Sequence, residues 1–322
     1  LCALALVLLG TATYAGRLAG PFIFDDEQSI VDNPSLAPLE LRRALSPPNA
    51  SPVAARPLVN LSFAIDRALH GLSPAAFHAT NLLLHLACAL VAFAALCRLL
   101  VAAPLSGGLS WLRERPRLPA FCAAAAFCVH PMAAEVVLYT TQRSESLVAL
   151  CYLSALWLLL REAQTGARLW PHMLLVAALG AASKEVFVTA PLLLLACDRA
   201  FCAGSWRAAL RARAALHAVL AASLLPLLLL QRGAPRSESV RLFELDYMLA
   251  QLRIVPGYFA HALWPLQPVL DYGPLWPGAA VGAGAWLALA GAVLLGSCVW
   301  AWRAPRRGFA VIWACAILAP TS

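Results

Sequence analysis

Three consecutive carboxylates close the stretch Phe22-Ile23-Phe24-Asp25-Asp26-Glu27, just after the first apolar run of the chain. Among segments that are otherwise compatible with lipid, acidic groups at a membrane surface are costly unless they are paired or used. Further polar groups recur at one end of successive apolar runs. His78, Asn81 and His85 stand at i, i+3 and i+7, which puts them on one face of a helix and suits the lining of a polar cavity. His130 and Glu135 precede Arg143 and Glu145 at a hairpin between two runs. The planar fork of Arg143 suits a phosphate; an ion pair with Glu135 or Glu145 that merely closes the hairpin is an equal alternative. Lys184, the only lysine, and Glu185 lie at a junction between two short runs, at a depth where ionisable groups are functional unless they neutralise one another.

The elements that must position these groups are membrane helices. Hydrophobic residues make up 61% of the 322-residue chain and charged residues 12%, and the mean hydropathy is +0.75; such a chain has little surface to offer water. Runs near the roughly 20 residues needed to cross hydrocarbon, without strands of alternating pattern, predict an all-α polytopic transmembrane bundle. Nine candidate spans fall near 1–16, 76–100, 119–138, 146–160, 169–183, 186–198, 214–231, 280–302 and 308–320. Arginines cluster in the connections at 98–117, 161–168, 199–213 and 303–307. Placing these in the cytoplasm puts the N-terminus inside and Asp25 and Asp26 outside.

Two outer segments follow from that topology. The first, 17–75, is punctuated by Leu36, Leu39, Leu41, Leu45, Leu58, Leu61, Phe63, Ile65 and Leu69, so one or two short amphipathic helices are expected there, separated at Pro47-Pro48. The second, 232–279, holds a stretch over 243–268 with Glu244, Asp246, Arg253 and His261 among aromatic residues, suited to lying in the interface. Trp264, Tyr272 and Trp276 there read as interfacial belt residues.

Ten cysteines, nearly all within spans and without a CxxC pair, read as small buried hydrophobes. No metal is expected, because three adjacent side chains such as Asp25, Asp26 and Glu27 rarely point at one centre. No glycine-rich phosphate loop or zinc signature is present, so neither a soluble-type nucleotide site nor a nucleic-acid partner is expected. The Ala, Leu and Arg bias suggests a GC-rich bacterial genome, hence the inner membrane with the polar groups facing the periplasm. The start at Leu1 and the stop at Ser322 directly after an apolar run read as ends cut from something longer, and residues 1–16 as a retained helix.

Six ordered motifs resemble a known family. Asp25-Asp26, Arg56-Pro57-Leu58-Val59-Asn60-Leu61, Phe77-His78 through His85, His130-Pro131-Met132-Ala133-Ala134-Glu135, Gln142 through Leu147 and Ser183-Lys184-Glu185 look like the membrane part of the GT-C glycosyltransferases. Within these, the likeness is to transmembrane and tetratricopeptide-repeat O-mannosyltransferases and their bacterial relatives; Leu245-Asp246-Tyr247, Leu263-Trp264-Pro265 and Leu270-Asp271-Tyr272 also look like the bacterial members. The resemblance implies one membrane domain over 1–322. It also implies inverting transfer of a sugar, commonly mannose, from a polyprenyl-phosphate carrier to a protein Ser/Thr or glycan hydroxyl on the outer side. No tetratricopeptide repeat is present, as expected for a chain truncated at its C-terminus. On this reading Asp25 or Asp26 is the general base and Arg143 and Lys184, with Arg56, hold the departing phosphate. His78, Asn81, His85, His130, Glu135, Glu145 and Glu185 line the substrate cavity. The competing class is a transporter or flippase of a charged lipid, which requires charged groups along the pore.

Overall fold

The computed structural model describes residues 1–105, 107–232 and 260–265, and thereafter 292–293, 295–296, 299–300 and 302–318. It divides into two units, Leu1–Pro235 and Arg236–Ser322. The described secondary structure is all helical, as the composition requires. In the first unit the helices are α1 (Cys2–Tyr14), α2 (Leu41–Ala44), α3 (Pro57–His70), α4 (Pro74–Ala102), α5 (Ser110–Glu114), α6 (Arg117–Val129), α7 (Ala133–Leu138), α8 (Arg143–Thr165), α9 (Trp170–Ala181), α10 (Ala190–Cys197), α11 (Trp206–Ala212), α12 (Ala214–Ala222) and α13 (Leu224–Arg232). In the second unit α14 covers Pro305–Leu318, with the Phe309 and Trp313 rings packed at 5.4 Å. Most of the expected interfacial stretch 243–268, with Tyr272 and Trp276, lies outside the described residues, as does most of the expected span 280–302.

Among the described residues four helical stretches are long and apolar enough to cross a membrane: Pro74–Ala102, Thr140–Thr165, Glu185–Ala203 and Ala214–Gln231. Cys2–Arg17, Arg117–Val129 and Trp170–Ala181 are shorter apolar helices. The chain is therefore an all-α integral membrane bundle. One expected span differs: 119–138 is not continuous, because the helix stops at Val129 and resumes at Ala133. Pro131 lacks the amide that would continue the ladder and disfavours helix at His130, which is extended.

Side-chain ties fix the helix directions. At one end Arg143 of α8 reaches Asn81 of α4, and at the other Arg98 Nη1 donates to Gln164 Oε1 at 2.8 Å, so α4 and α8 run parallel. His85 near the start of α4 meets the carbonyl of Cys128 at the end of α6, so these two run antiparallel. One end of the unit thus collects the first loop, the start of α8 and the end of α9. The opposite end collects arginines, and there buried Asp198 accepts from Arg213 Nε at 2.7 Å and meets His217 Nε2 at 2.8 Å.

The loop 17–75 is a folded cap, and the expected helices are α2 and α3. Ile30, Leu36, Ala44, Val53, Val59, Phe63, Ala64 and Phe77 form its core. A buried amide network closes it. Asn33 Nδ2 donates to Ser29 O and Asn60 Oδ1, both at 2.9 Å, and Asn60 Nδ2 donates to Ser35 Oγ at 2.9 Å and Ala44 O at 2.8 Å. Both side-chain nitrogens are satisfied, so the network specifies one fold of the cap and adds no desolvation cost from unpaired amides. Leu39, Leu41, Leu45, Ile65 and Leu69 are exposed, which leaves the cap an apolar outer side. Of the cysteines, Cys88, Cys128, Cys151 and Cys197 are buried as expected, whereas Cys122 is exposed.

Candidate functional site

The two aspartates of the opening turn have opposite environments. Asp26 is 0% exposed. Its carboxylate accepts from Ile23 N at 3.2 Å, Thr140 N at 3.3 Å, Thr141 N at 2.7 Å and Thr141 Oγ1 at 2.6 Å. Thr140 and Thr141 begin the short 3₁₀ turn that leads into α8, so Asp26 caps a helix start with its charge against unpaired N–H groups. Asp25 is exposed, and its amide donates to Tyr139 Oη at 3.3 Å. Phe24, immediately before it, has φ +46° and is 62% exposed. A left-handed backbone costs a side-chain-bearing residue about 1–2 kcal/mol, and here the anchoring of Asp26 and Tyr139 holds it. The Phe24 ring lies 6.2 Å from that of Tyr139, in an edge-on arrangement.

Arg143 sits behind this turn, not on the surface. It is 0% exposed. Its Nη2 pairs with Asp66 Oδ2 at 2.6 Å and donates to Phe77 O at 3.0 Å; Nε donates to Asn81 Oδ1 at 2.7 Å and Nη1 to Ser62 Oγ at 3.2 Å. The guanidinium also lies over the rings of Phe63 (4.6 Å) and Phe77 (5.6 Å). This corrects both expectations for Arg143. The fork is taken up by the cap and by α4, leaving it no face for a phosphate, and its ionic partner is Asp66, not Glu135 or Glu145.

The polar stripe of α4 is corrected in the same way. His78 Nδ1 meets Leu18 O at 2.8 Å, and Asn81 Nδ2 donates to the carbonyls of Val136 and Thr140 at 3.3 Å each. His85 Nε2 meets Cys128 O at 2.9 Å and its ring packs against Tyr14 and Phe127. All three are buried. Each meets a backbone carbonyl of a neighbouring element, which ties α4 to its neighbours, while His78 Nε2 is buried without a hydrogen-bond partner. His130 is half-buried, and its Nδ1 accepts from Met132 N at 3.3 Å inside the kink after α6.

The remaining expected residues form a partly buried charged belt at the same end. Lys184 and Glu145 make an ion pair. Arg56 Nη2 reaches Glu185 Oε1 at 3.1 Å and Oε2 at 3.3 Å. Leu58 N donates to Ala182 O at 3.0 Å, so the start of α3 is joined to the end of α9 directly beside both pairs. Gly180 makes that junction possible, because a Cβ there would stand 2.5 Å from the Phe187 ring. Gln142 Nε2 donates to Glu135 Oε1 at 3.2 Å. The Glu135 carboxyl is raised above its usual range, first by desolvation and then by the Glu145 charge, with Lys184 opposing. Glu135, Glu145 and Lys184 therefore share one field.

Sequence reasoning missed Asp66 and Tyr139. The signal for Tyr139 was its place before Thr140-Thr141 at a helix start, where backbone N–H groups attract an anion and bring the preceding ring against whatever carries it. Asp66 gave no local signal.

Fold and site define an integral membrane helical bundle that gathers an exposed carboxylate and partly buried, ion-paired cations at one end. No protein-family model matches the chain, and no solved structure matches it. It is similar to the protein O-mannosyl-transferase Tmtc3 of Drosophila melanogaster, 32% identical over 175 residues, which cover 48% of this chain and 18% of that protein. Similarity extends to protein O-mannosyl-transferase F38B6.6 of Caenorhabditis elegans (29% over 192 residues, 56% and 26%) and human protein O-mannosyl-transferase TMTC2 (29% over 174 residues, 50% and 19%). The matches thus span between 18% and 26% of these relatives' lengths. They bear out the resemblance to transmembrane and tetratricopeptide-repeat O-mannosyltransferases.

Proposed function

We propose that the chain is the membrane part of a glycosyltransferase that moves a sugar, mannose by resemblance, from a polyprenyl-phosphate carrier to a Ser/Thr or glycan hydroxyl. The acidic end faces the periplasm of a bacterial inner membrane. The observation that carries this reading is the division of labour in the opening turn: Asp26 is buried as an anchor while Asp25 stands exposed. The acceptor hydroxyl oxygen attacks the anomeric carbon and its proton passes to the Asp25 carboxylate. The bond from that carbon to the phosphate oxygen breaks on the opposite face, so the configuration inverts. The oxygen that departs gains negative charge, and Lys184 and Arg56 stabilise it. Arg143 contributes indirectly by holding the cap on α4 and α8. Exposed charges gathered at the ends of the bundle, with the interior pair Arg143–Asp66 already neutralised, support transfer over translocation of a charged lipid.

The test is Asp25→Asn, with Asp26 intact, in the full chain reconstituted in liposomes with polyprenyl-phosphate mannose and a Ser/Thr peptide. Loss of a positioned general base is expected to lower transfer by about 10²–10⁴-fold, with thermal unfolding unchanged. Full transfer by this variant overturns the assignment.

A further inference from the structure

Tyr139 touches Asp25 from outside its own turn and has no task in the proposed reaction. Its ring is buried, with the hydroxyl receiving the Asp25 amide at 3.3 Å and its own proton left free to donate. It belongs to the hinge between α7 and the 3₁₀ turn whose Thr140 and Thr141 grip Asp26. One hinge therefore holds both aspartates, the buried one by backbone amides and the exposed one by a phenol.

From this geometry we infer that Tyr139 is a positioning residue for Asp25, its hydroxyl fixing the carboxylate toward the acceptor and supporting its negative charge. The inference rests on the proposed role of Asp25 as base. Two further observations agree with it. Phe24 is held in a left-handed conformation directly before Asp25, with its ring packed edge-on to Tyr139, so the turn is over-determined at this point. Burial, with the nearby Asp25 and Asp26 charges, also holds the Tyr139 phenol above its ordinary range, so it keeps its proton as a donor. The other charged groups around the turn are Asp26 and Glu27 on the same segment, Glu135 on α7 and the buried Arg143 at the start of α8. None of these supplies a neutral donor to Asp25.

Tyr139→Phe keeps the ring and its contact with Phe24 while deleting the hydroxyl. In the liposome assay, kcat is expected to fall about tenfold with the donor KM unchanged, the loss of one hydrogen bond to a charged group. The acid limb of the pH–rate profile is expected to move up by about one pH unit, since a carboxylate that loses a donor holds its proton more readily. A purely structural role would not move that limb. Incorporation of 3-fluorotyrosine at 139 preserves shape and hydroxyl but makes a stronger donor, so the limb moves down; this variant decides the matter if Tyr139→Phe does not fold. If Asp25→Asn is inactive yet neither variant shifts the limb, the positioning role is overturned while the base assignment stands. If Asp25→Asn is active, the base assignment itself fails.

Discussion

Arg143→Met removes the cation at the centre of the acidic end and leaves its partners in place. The Asp66 carboxylate then keeps only the Thr80 hydroxyl at 2.9 Å, and the Asn81 side-chain oxygen, the Phe77 carbonyl and the Ser62 hydroxyl each lose their donor from Arg143. Deleting one member of a buried ion pair costs about 3–5 kcal/mol, because the other charge remains desolvated. For a unit of this size each kcal/mol lowers Tm by about 2–4 °C, so the expected drop is about 6–20 °C. Adding Asp66→Leu removes the stranded charge, and the double variant should melt above the sum of the two single losses. Thermal unfolding in detergent micelles measures all four proteins. If Arg143→Met melts within about 1 °C of the parent and instead raises the donor KM, the guanidinium is a phosphate ligand and the burial argument is wrong.

Asp26→Asn keeps shape but loses the charge that accepts from Thr140 and Thr141; a loss of about 1.5–3 kcal/mol is expected, read as a lower Tm, and an unchanged Tm refutes the anchoring role. Lys184→Met breaks a partly exposed pair worth no more than about 1 kcal/mol, yet should reduce transfer about 10²-fold by removing a cation from the departing phosphate; a large stability loss with normal specific activity reverses that ranking. Glu135 has its carboxyl raised from 4.5 by desolvation and by Glu145. The fold therefore prefers its protonated form, and the favourable contribution is present below pH 4.5 and lost as pH rises through the folded value. Glu135→Gln should then be more stable than the parent at neutral pH and lose that advantage on acidification, measured as Tm against pH; a pH-independent difference refutes the reading.

The sequence carried the bundle because helix length and hydropathy are local properties, readable without knowing what packs where. It also singled out Lys184 and Glu185, since ionisable groups at lipid depth are conspicuous wherever they end up, but not their pairing with Glu145 and Arg56. It could not carry partnership. Arg143 and Asp66 are separated by the whole of α4, and nothing near either residue announces the other; with Asp66 unseen, a phosphate and the nearby Glu135 or Glu145 were equal choices of partner. The stripe of His78, Asn81 and His85 failed for a related reason. Its spacing required a polar neighbour for one face of α4, and water in a cavity and the carbonyls of adjacent helices satisfy that requirement equally until packing is known. The kink at Pro131 was within reach, because proline ends the helix before it by a rule that needs no tertiary information.

Lys184 and Arg56 are already paired with anions, and this shapes how a donor could bind. Lys184 holds Glu145 and Arg56 holds Glu185, so under the proposed function a lipid phosphate reaching the belt would exchange one anionic partner for another, and the gain would be a difference between two similar interactions. That difference grows as the reaction proceeds, because the phosphate gains charge when its bond to the sugar breaks whereas the carboxylates do not. An interaction that is weak in the ground state and stronger in the transition state is the kind that accelerates chemistry, where a bare lysine would bind substrate and product phosphate tightly. The released Glu145 would then lie beside Glu135, whose carboxyl is already inclined to hold a proton, so the displaced negative charge finds a neighbour able to take up a proton and limit the repulsion. On this argument Glu145→Gln should lower the donor KM by freeing Lys184, and should lower kcat as well by strengthening ground-state binding; a variant with unchanged KM and kcat would show that Lys184 does not meet the donor.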